Sequence, residues 1–573
     1  MFRKTTPQLS LLEPTFMFPG ILPEDDWSYI FRDKIWPLID EDKFRHIYHE
    51  KGGAPNKSIK LKVSLLIFMA LERITWRETE FLFRRRLDWM NATFTPFGEA
   101  FIDHTTLFKF FQALQGDDVN YALFADITRA FVEKCNVSTD KQRVDSFFML
   151  GWLAILSRYG LFKETIKTFL QALRKHKPGL YGKIKDDLSV DYLKDNFDLT
   201  EKDKKKTKGR IKEMAKDLFQ LKASFENHNQ VKCYESFKTL VTVFSQQCKV
   251  TFSNDNIQSG GSAYFEDEKT EVLIPCEDEK GQDLDSPTPL VEIRTKPEGD
   301  KIISSPHNTD AEYTRKRNTK VVGHKGFVTE TCDPSNEVQF ITDVNLERST
   351  HADANEIKRI EHRLEQNGFI PETLYGDAGF VNGDSILRSK EKGIDLAGPS
   401  SGRSQSIEDF ADDDRVFDIA DFEVQVNDNS KEITIISCPN GQRASDQKLS
   451  DKTGKILVHF SSATCNKCQT RQRCPVKIGV HVATLNVTEE QYAGAVRHHK
   501  YMESVEYRKE CGIRSGAESL VNEVANGHGA RKSRHKNQEG SKVQLFFSSI
   551  GCNVKRYMRY MQKCVENTPK AAI

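Results

Sequence analysis

The sequence contains no run of about 18 apolar residues, which excludes a helix of membrane-spanning character. No apolar signal core follows Met1-Phe2-Arg3-Lys4; Thr5-Thr6-Pro7-Gln8 comes next, so a cytoplasmic setting is expected rather than secretion. Cysteine is sparse: twelve in 573 residues do not make a disulfide scaffold. In a reducing compartment the clustered thiols become metal candidates. Cys135, Cys233, Cys248, Cys276, Cys332, Cys552 and Cys564 read as core or incidental residues. An excess of one charge is missing as well, the net charge being +1.

What is present fits a water-soluble globular chain, with 29% charged and 38% hydrophobic residues. The length predicts about three or four domains. Charge is segregated along the chain. Basic clusters stand at Arg84-Arg85-Arg86, Lys204-Lys205-Lys206 and Arg531-Lys532-Ser533-Arg534-His535-Lys536, and acidic stretches at Glu266–Asp285 and Glu408–Asp414. Segregation of this kind can build a basic, DNA-facing surface without a basic average; solvated charged faces are the other reading.

Residues 24–116 read as several short helices. Ile59–Leu71 is largely apolar, and Thr75-Trp76-Arg77-Glu78 is a capping-box pattern that opens a helix running through Arg86. Asp103 can cap a further helix, His104–Leu114. Two short capped helices across a turn suit a helix-turn-helix reader of a DNA groove, or a helical bundle for protein contacts. Arg143–Met149 is an apolar run with one acid, a buried strand. Residues 152–250 read as helical, and Glu266–Pro297 as a loop.

From about residue 318 the pattern becomes mixed α/β. Strands are expected at Val321–Thr329 and Val338–Val344, and a helix at Asn355–Gln366 closed by Gly368. Next come a strand at Thr373–Gly376, a helix at Ser385–Lys392 closed by Gly393, and a strand at Ile394–Ala397. That order is ribonuclease-H-like. Residues 400–485 interrupt it with an acidic, strand-prone segment, and a helical region runs from about 488 to 563.

Three acids stand out. Asp145 lies among apolar residues, Asp377 lies between two glycines in Tyr-Gly-Asp-Ala-Gly-Phe, and Glu518 ends Arg514-Ser515-Gly516-Ala517-Glu518. A charge buried in a strand needs a partner, and a cation is one. Ala517, Leu520, Val521 and Val524 give the Glu518 helix an apolar stripe, with Arg514 one turn before the acid. Carboxylates so spread are what a two-metal phosphoryl-transfer centre requires, with hard oxygens around two ions roughly 4 Å apart. Asp310 is the alternative first acid.

Cys438, Cys465, Cys468 and Cys474 contain one Cys-x-x-Cys pair and suit a closed tetrahedral zinc site of structural type; reduced loop thiols are the other reading. Tyr507, Arg514, His528, Arg531, Lys532, Arg534 and Lys536 form a group able to contact DNA phosphates.

These blocks resemble the DDE-type insertion-sequence transposases, specifically the insertion-sequence eleven-eighty-two-like group, over nearly the whole chain. The resemblance rests on Thr75–Leu114, Gln142–Ser146 continuing through Leu156–Phe162, Ser305–Tyr313, Gly323-His324-Lys325-Gly326, Tyr375–Phe380 and Arg514–Glu518. The pattern departs at Cys511, where a Tyr is usual three residues before the Arg, and at Ala525, where a Lys is usual seven after the Glu. The first block also lacks the usual Thr, with Phe147 after Ser146, and His324 replaces a Tyr.

The resemblance implies a ribonuclease-H-like mixed sheet, interrupted by a helical insertion and a strand-rich cysteine insertion and preceded by an all-helical N-terminal domain. The implied divisions are 1–135 (helical, DNA-binding), 136–150 (first catalytic strand), 151–300 (helical insertion and acidic linker), 301–400 (central sheet), 401–487 (cysteine insertion) and 488–573 (glutamate helix and basic C-terminal region). It implies two Mg²⁺ or Mn²⁺ ions on Asp145, Asp377 and Glu518, hydrolysis at a transposon end, and attack of the freed 3′-hydroxyl on target DNA. DNA ends and target DNA are the partners, with a homodimer assembled on them and a nucleoid-associated location. A DNA-binding protein of the same fold without chemistry, or a nuclease that cuts without joining, are the alternatives.

Overall fold

The structure, a computed structural model, describes residues 1–5, 10–49, 52–152, 156–194, 204–253, 288–299, 301–316, 319–402, 405–426, 433–450 and 453–567. The acidic stretch Glu266–Asp285 and Cys276 lie outside the described residues.

Capping chemistry sets the N-terminal helices. Ile59–Glu72 starts at Ser58, whose hydroxyl accepts the Leu61 N–H at 3.1 Å, and stops at Arg73 in the left-handed region (φ 58°). Thr75 and Glu78 form the reciprocal capping box of the next helix, Trp76–Phe83. That helix ends three residues before Arg86, because the Arg86 guanidinium is drawn to Asp88 and Glu72 and a separate turn, Leu87–Ala92, begins there. Asp103 caps His104–Ala113 as expected, and Val119–Lys134 follows.

The central sheet begins with β1 (Lys141–Leu150). The chain then leaves it through helices Arg158–His176, Pro178–Ile184, Lys204–Phe225 and Glu235–Gln247, which form their own core around Phe162, Phe169, Leu218 and Leu240. A hairpin of β2 (Cys248–Ser253) and β3 (Thr288–Ile293) closes this insertion. The loop expected over Glu266–Pro297 is therefore strand at its described end. Pro289 sits near the start of β3, where an outer strand tolerates a missing donor.

The sheet resumes with β4 (Glu312–Lys316), β5 (Thr319–Thr331), β6 (Ile341–Arg348), β7 (Thr373–Tyr375) and β8 (Asp395–Ala397). Its order is β8-β7-β1-β5, with β4 and β6 along the far edge of β5. β1, β7 and β8 run parallel, while β5 is antiparallel to β1, β4 and β6. β6 begins at Ile341, three residues later than expected, and extends to Arg348. Helix Asp353–Asn367 connects β6 to β7 and ends at Gly368 in the left-handed region (φ 73°). Helix Gly383–Glu391 connects β7 to β8.

The cysteine insertion carries a two-stranded ribbon, β9 (Glu423–Val426) with β10 (Ile433–Ser437), and a four-stranded sheet. The latter comprises β11 (Asp446–Ser450), β12 (Lys455–Ser461), β13 (Lys477–Ile478) and β14 (Val482–Val487), in the order β11-β12-β14-β13. Its small core holds Ile435, Val458, Phe460 and Leu485. Helices Glu489–Glu503 and Val505–Cys511 lead to a 3₁₀ turn (Gly512–Ser515), the short helix Gly516–Asn522 and a π-turn (Glu523–Gly527). The 30-residue helix Gln538–Asn567 ends the described chain.

That last helix packs on β6 and on the N-terminal helices Ile59–Glu72 and Val119–Lys134. One continuous hydrophobic core joins the N-terminal helices, the sheet and the C-terminal helix. Tyr557 stacks on Phe131 (centroids 4.1 Å apart), and the buried Asn553 bonds Thr128 and both backbone groups of Ile341.

Candidate metal centre and nucleic-acid interface

Two of the acids follow strands that are neighbours in the sheet. β1 and β7 pair in parallel as Lys141↔Thr373, Gln142↔Leu374 and Arg143↔Tyr375. Two residues further along the chain from that last pair come Asp145, still within β1, and Asp377, beyond the end of β7. Asp377 lies just past the carboxyl end of β7, where open α/β sheets bind ligands. Its Oδ1 accepts the Gly379 N–H at 2.8 Å, and Asp145 Oδ1 accepts the Ser146 N–H at 2.7 Å. Gly379 is flanked by Asp377 Oδ1 and Asp353 Oδ2, and a Cβ at that position would meet both carboxylates.

Glu518 is exposed on Gly516–Asn522, a helix that packs on β1 and β5 through Ala517 and Leu520. The expected stripe is present, with Ala517, Leu520 and Val524 buried. The helix is shorter than expected because a 3₁₀ turn holding Arg514 precedes it and a π-turn follows. Among the described residues, the donor atoms of Asp145, Asp377 and Glu518 are not in the groups lying within 4.8 Å of one another; those are Glu523–His528–Cys552, Glu80–Asp103–His104 and Asp418–Asp421–His499. Acids shared between two ions stand further apart than donors around one. Asp310 lies ahead of β4, bonded to Lys301 at 3.4 Å.

Lys325 went unnoticed in the sequence except as part of a motif. Its Nζ donates to Asp353 Oδ1 at 3.1 Å and to the His351 carbonyl at 2.9 Å, beside the Asp377 loop. Nothing local marks Asp353 as a neighbour of Asp377; the turn of chain between β6 and β7 creates that proximity.

The cationic segment lies along the end of β1. The Leu150 N–H donates to the Arg531 carbonyl at 2.9 Å, and the Ser533 N–H donates to the Leu150 carbonyl at 2.8 Å. A cavity of about 500 Å³ opens there, lined by Arg73, Trp152, Arg531, Lys532 and Arg534, with no acidic side chain in its wall. Lys536 lies over the Trp152 ring at 5.2 Å. Arg531, Lys532 and Lys536 are exposed and Arg514 is half-buried. Three members of the expected DNA-contact group are engaged elsewhere. Tyr507 is 4% exposed, and its hydroxyl takes hydrogen bonds from Arg497 Nη1 (2.5 Å) and the Gly398 N–H (3.2 Å). Burial pushes its phenol up to about 12. Arg534 spends its guanidinium on the carbonyls of Ile74 and Arg73 at 2.6 and 2.8 Å, which ties the C-terminal segment to the N-terminal helices. His528 is also buried, beneath the Ala70 carbonyl.

Cys438, Cys465, Cys468 and Cys474 line one cavity of about 510 Å³, and all four are free thiols. Burial, and then the neighbouring thiols, push Cys465 and Cys474 above the ordinary thiol range. Cys468 is drawn the other way, chiefly by the Thr470 hydroxyl, and Asn440 Nδ2 donates to its sulfur at 3.0 Å. Four soft sulfur donors facing one space fit Zn²⁺, and an all-carboxylate set fits Mg²⁺ or Mn²⁺. The four sulfurs are not drawn within 4.8 Å of one another.

Among the described residues, no helix is long and apolar enough to cross a membrane. Residues 20–113 match a family model described as a transposase domain (DUF772), and residues 437–558 match one described as a transposase DDE domain. The second match takes in the four cysteines and Glu518, while Asp145 and Asp377 fall between the two. No curated protein and no solved structure matches the chain.

Proposed function

The chain belongs to the DDE-type insertion-sequence transposases, matched by a transposase model near each end, and on that premise we propose that it binds the terminal inverted repeats of its element and catalyses metal-dependent cleavage and strand transfer. The observation that supports this reading is the parallel pairing of β1 with β7, the two strands that lead to Asp145 and Asp377, with the Glu518 helix packed on β1. The sheet order and the single antiparallel β5 beside β1 support a ribonuclease-H-like catalytic unit.

Asp145, Asp377 and Glu518 would hold two Mg²⁺ or Mn²⁺ ions. Divalent ions bound there would supply an activated water and a counter-charge for the leaving oxygen. The chain's own residues bind and orient the DNA. Arg531, Lys532 and Lys536 neutralise phosphates along the end of β1, and Arg514 stands one turn before Glu518 for a phosphate near the reacting one. Helices Trp76–Phe83 and His104–Ala113 serve as the end-reading pair; the latter exposes Thr105, Thr106, Lys109 and Gln112. The four thiols would hold one structural Zn²⁺. Synapsis of two ends calls for two copies on DNA, acting in the nucleoid.

Purified protein, incubated with Mg²⁺ and duplexes copied from the ends of its element, tests the reading. Joined products support it. Binding without cleavage would identify a DNA-binding protein that has lost its chemistry, and cleavage without joining a nuclease.

A further inference from the structure

Glu518 stands on one short helix between two fixed points, and a single chain of charges makes both. Arg143, two residues before Asp145, lies directly across from Glu330 in the β1–β5 register. Its Nε and Nη2 donate to Glu330 Oε1 at 2.8 and 2.5 Å. Its Nη1 donates to the Ile513 carbonyl at 2.9 Å, five residues before Glu518. The other Glu330 oxygen accepts Arg556 Nη1 at 2.7 Å. Arg556, on the C-terminal helix, then donates Nη2 and Nε to Glu523 Oε2 at 2.6 and 3.1 Å, five residues after Glu518.

The middle of this chain is withdrawn from water, with the Glu330 side chain 1% exposed and Arg143 and Arg556 at 16% and 15%. Burial works against the charge on Glu523, and Arg556 overcomes it, so that the carboxyl stays below its usual range. Buried ion pairs give little net stability compared with apolar residues of equal volume. Stability alone therefore does not account for four alternating charges here; what they do supply is a fixed geometry. Gly516 shows how close the fit is. A Cβ there would collide with the Arg143 guanidinium, so the first residue of the glutamate helix rests on that plane.

We propose that Arg143, Glu330, Arg556 and Glu523 are positioning residues that set the separation of Glu518 from Asp145, and through it the affinity of the acidic centre for divalent ions. This rests on the three-acid reading given above. Glu518 is exposed on a short helix, and no sheet hydrogen bond fixes it; the charge chain ties the Ile513 carbonyl before it and the Glu523 carboxylate after it to the strand that carries Asp145.

The test is a Mn²⁺ titration of strand cleavage by the full-length protein on a duplex copied from the end of its element, with folded fraction and metal-free DNA affinity measured alongside. Arg143→Lys and Gly516→Ala should raise the half-saturating Mn²⁺ about tenfold or more, the usual cost of a displaced supporting partner. Cleavage should recover to within a few-fold of the parent at saturating Mn²⁺, with DNA affinity unchanged. A purely structural role would lower the amplitude through lost folded protein and leave the half-saturation where it was, which overturns the proposal. Glu330→Gln strikes the centre of the chain; should it not fold, Gly516→Ala still reports, because it keeps all four charges and adds one methyl group. Asp377→Asn separates the two ideas. Cleavage by that variant would overturn the three-acid reading itself. An inactive Asp377→Asn together with parental Mn²⁺ dependence in Arg143→Lys and Gly516→Ala would overturn the positioning role alone.

Discussion

The glutamate helix and the cysteine insertion are neighbours in sequence, yet they are held in opposite ways. The helix is fixed by partners from across the chain: Arg143 reaches Ile513 over 370 positions and Glu330 over 187, and Arg556 reaches Glu330 over 226. The thiol cavity is built from within, and its Asn440–Cys468 contact spans 28 positions. A long-range assembly exists only once the sheet has formed, whereas a local one can be completed or lost by itself. Chemistry at the acids should therefore respond to distant substitutions, and the thiols should respond to almost none outside their own segment.

The strongest way to break this contrast is Asp377→Asn or Asp145→Asn. Removing a proposed ligand from the acidic centre should cut strand cleavage on the order of a thousandfold, several kcal/mol at about 1.4 kcal/mol per tenfold. End-DNA affinity and metal content at the thiols should not change, as gel shift and elemental analysis would reveal; zinc release from either variant would mean that the two regions are coupled.

Next in size, Cys465→Ser with Cys468→Ser should abolish zinc binding and remove a separate calorimetric transition, while cleavage falls less than about tenfold, because a closed sulfur site acts through folding. A thousandfold loss in that variant would place the thiols in the reaction.

A third measurement compares the two regions by pH. Burial holds His324, His528 and His535 down at about 4, from an ordinary value of 6.5. The unfolded chain binds protons at these sites before the folded one does. Their contribution is whole above pH 6.5 and is lost as pH falls toward 4. All three lie on β5 or in the C-terminal segment, so the main transition should drop by a few degrees per unit in that window, on the order expected for a chain of this size. A flat Tm from pH 6.5 to 4 would contradict the buried, neutral state.

The smallest effect is expected at the surface. Lys532→Ala should weaken DNA binding a few-fold and reduce the salt slope by about one. An unchanged slope would remove the end of β1 from the DNA path.

Much of this was legible in the sequence because it is local. The Thr75 capping box, the Gly368 helix stop and the Cys465–Cys468 pair are patterns a few residues long, and each is found at its expected position. Asp145 and Asp377 stood out because an acid in an apolar strand or between glycines is conspicuous. Tyr507 misled because its residue type suits DNA contact, while its hydroxyl is taken by Arg497 and the Gly398 N–H. Arg534 misled in the same way, as a cation spent on carbonyls of the N-terminal helices. The Arg143–Glu330–Arg556–Glu523 chain could not be read beforehand: its members are ordinary charged residues, brought together only by strand register and the course of the last helix.

That last helix has a consequence for anyone transplanting parts. At about 45 Å long, it fills the gap between β6 and the N-terminal helices, and Tyr557 lies flat on Phe131. The N-terminal helices are therefore not a detachable head. A chimera that borrows residues up to Lys134 alone would take half of a shared interior, exposing Phe131 and Thr128 where the donor protein keeps them dry. Specificity swaps between such proteins should exchange both termini together.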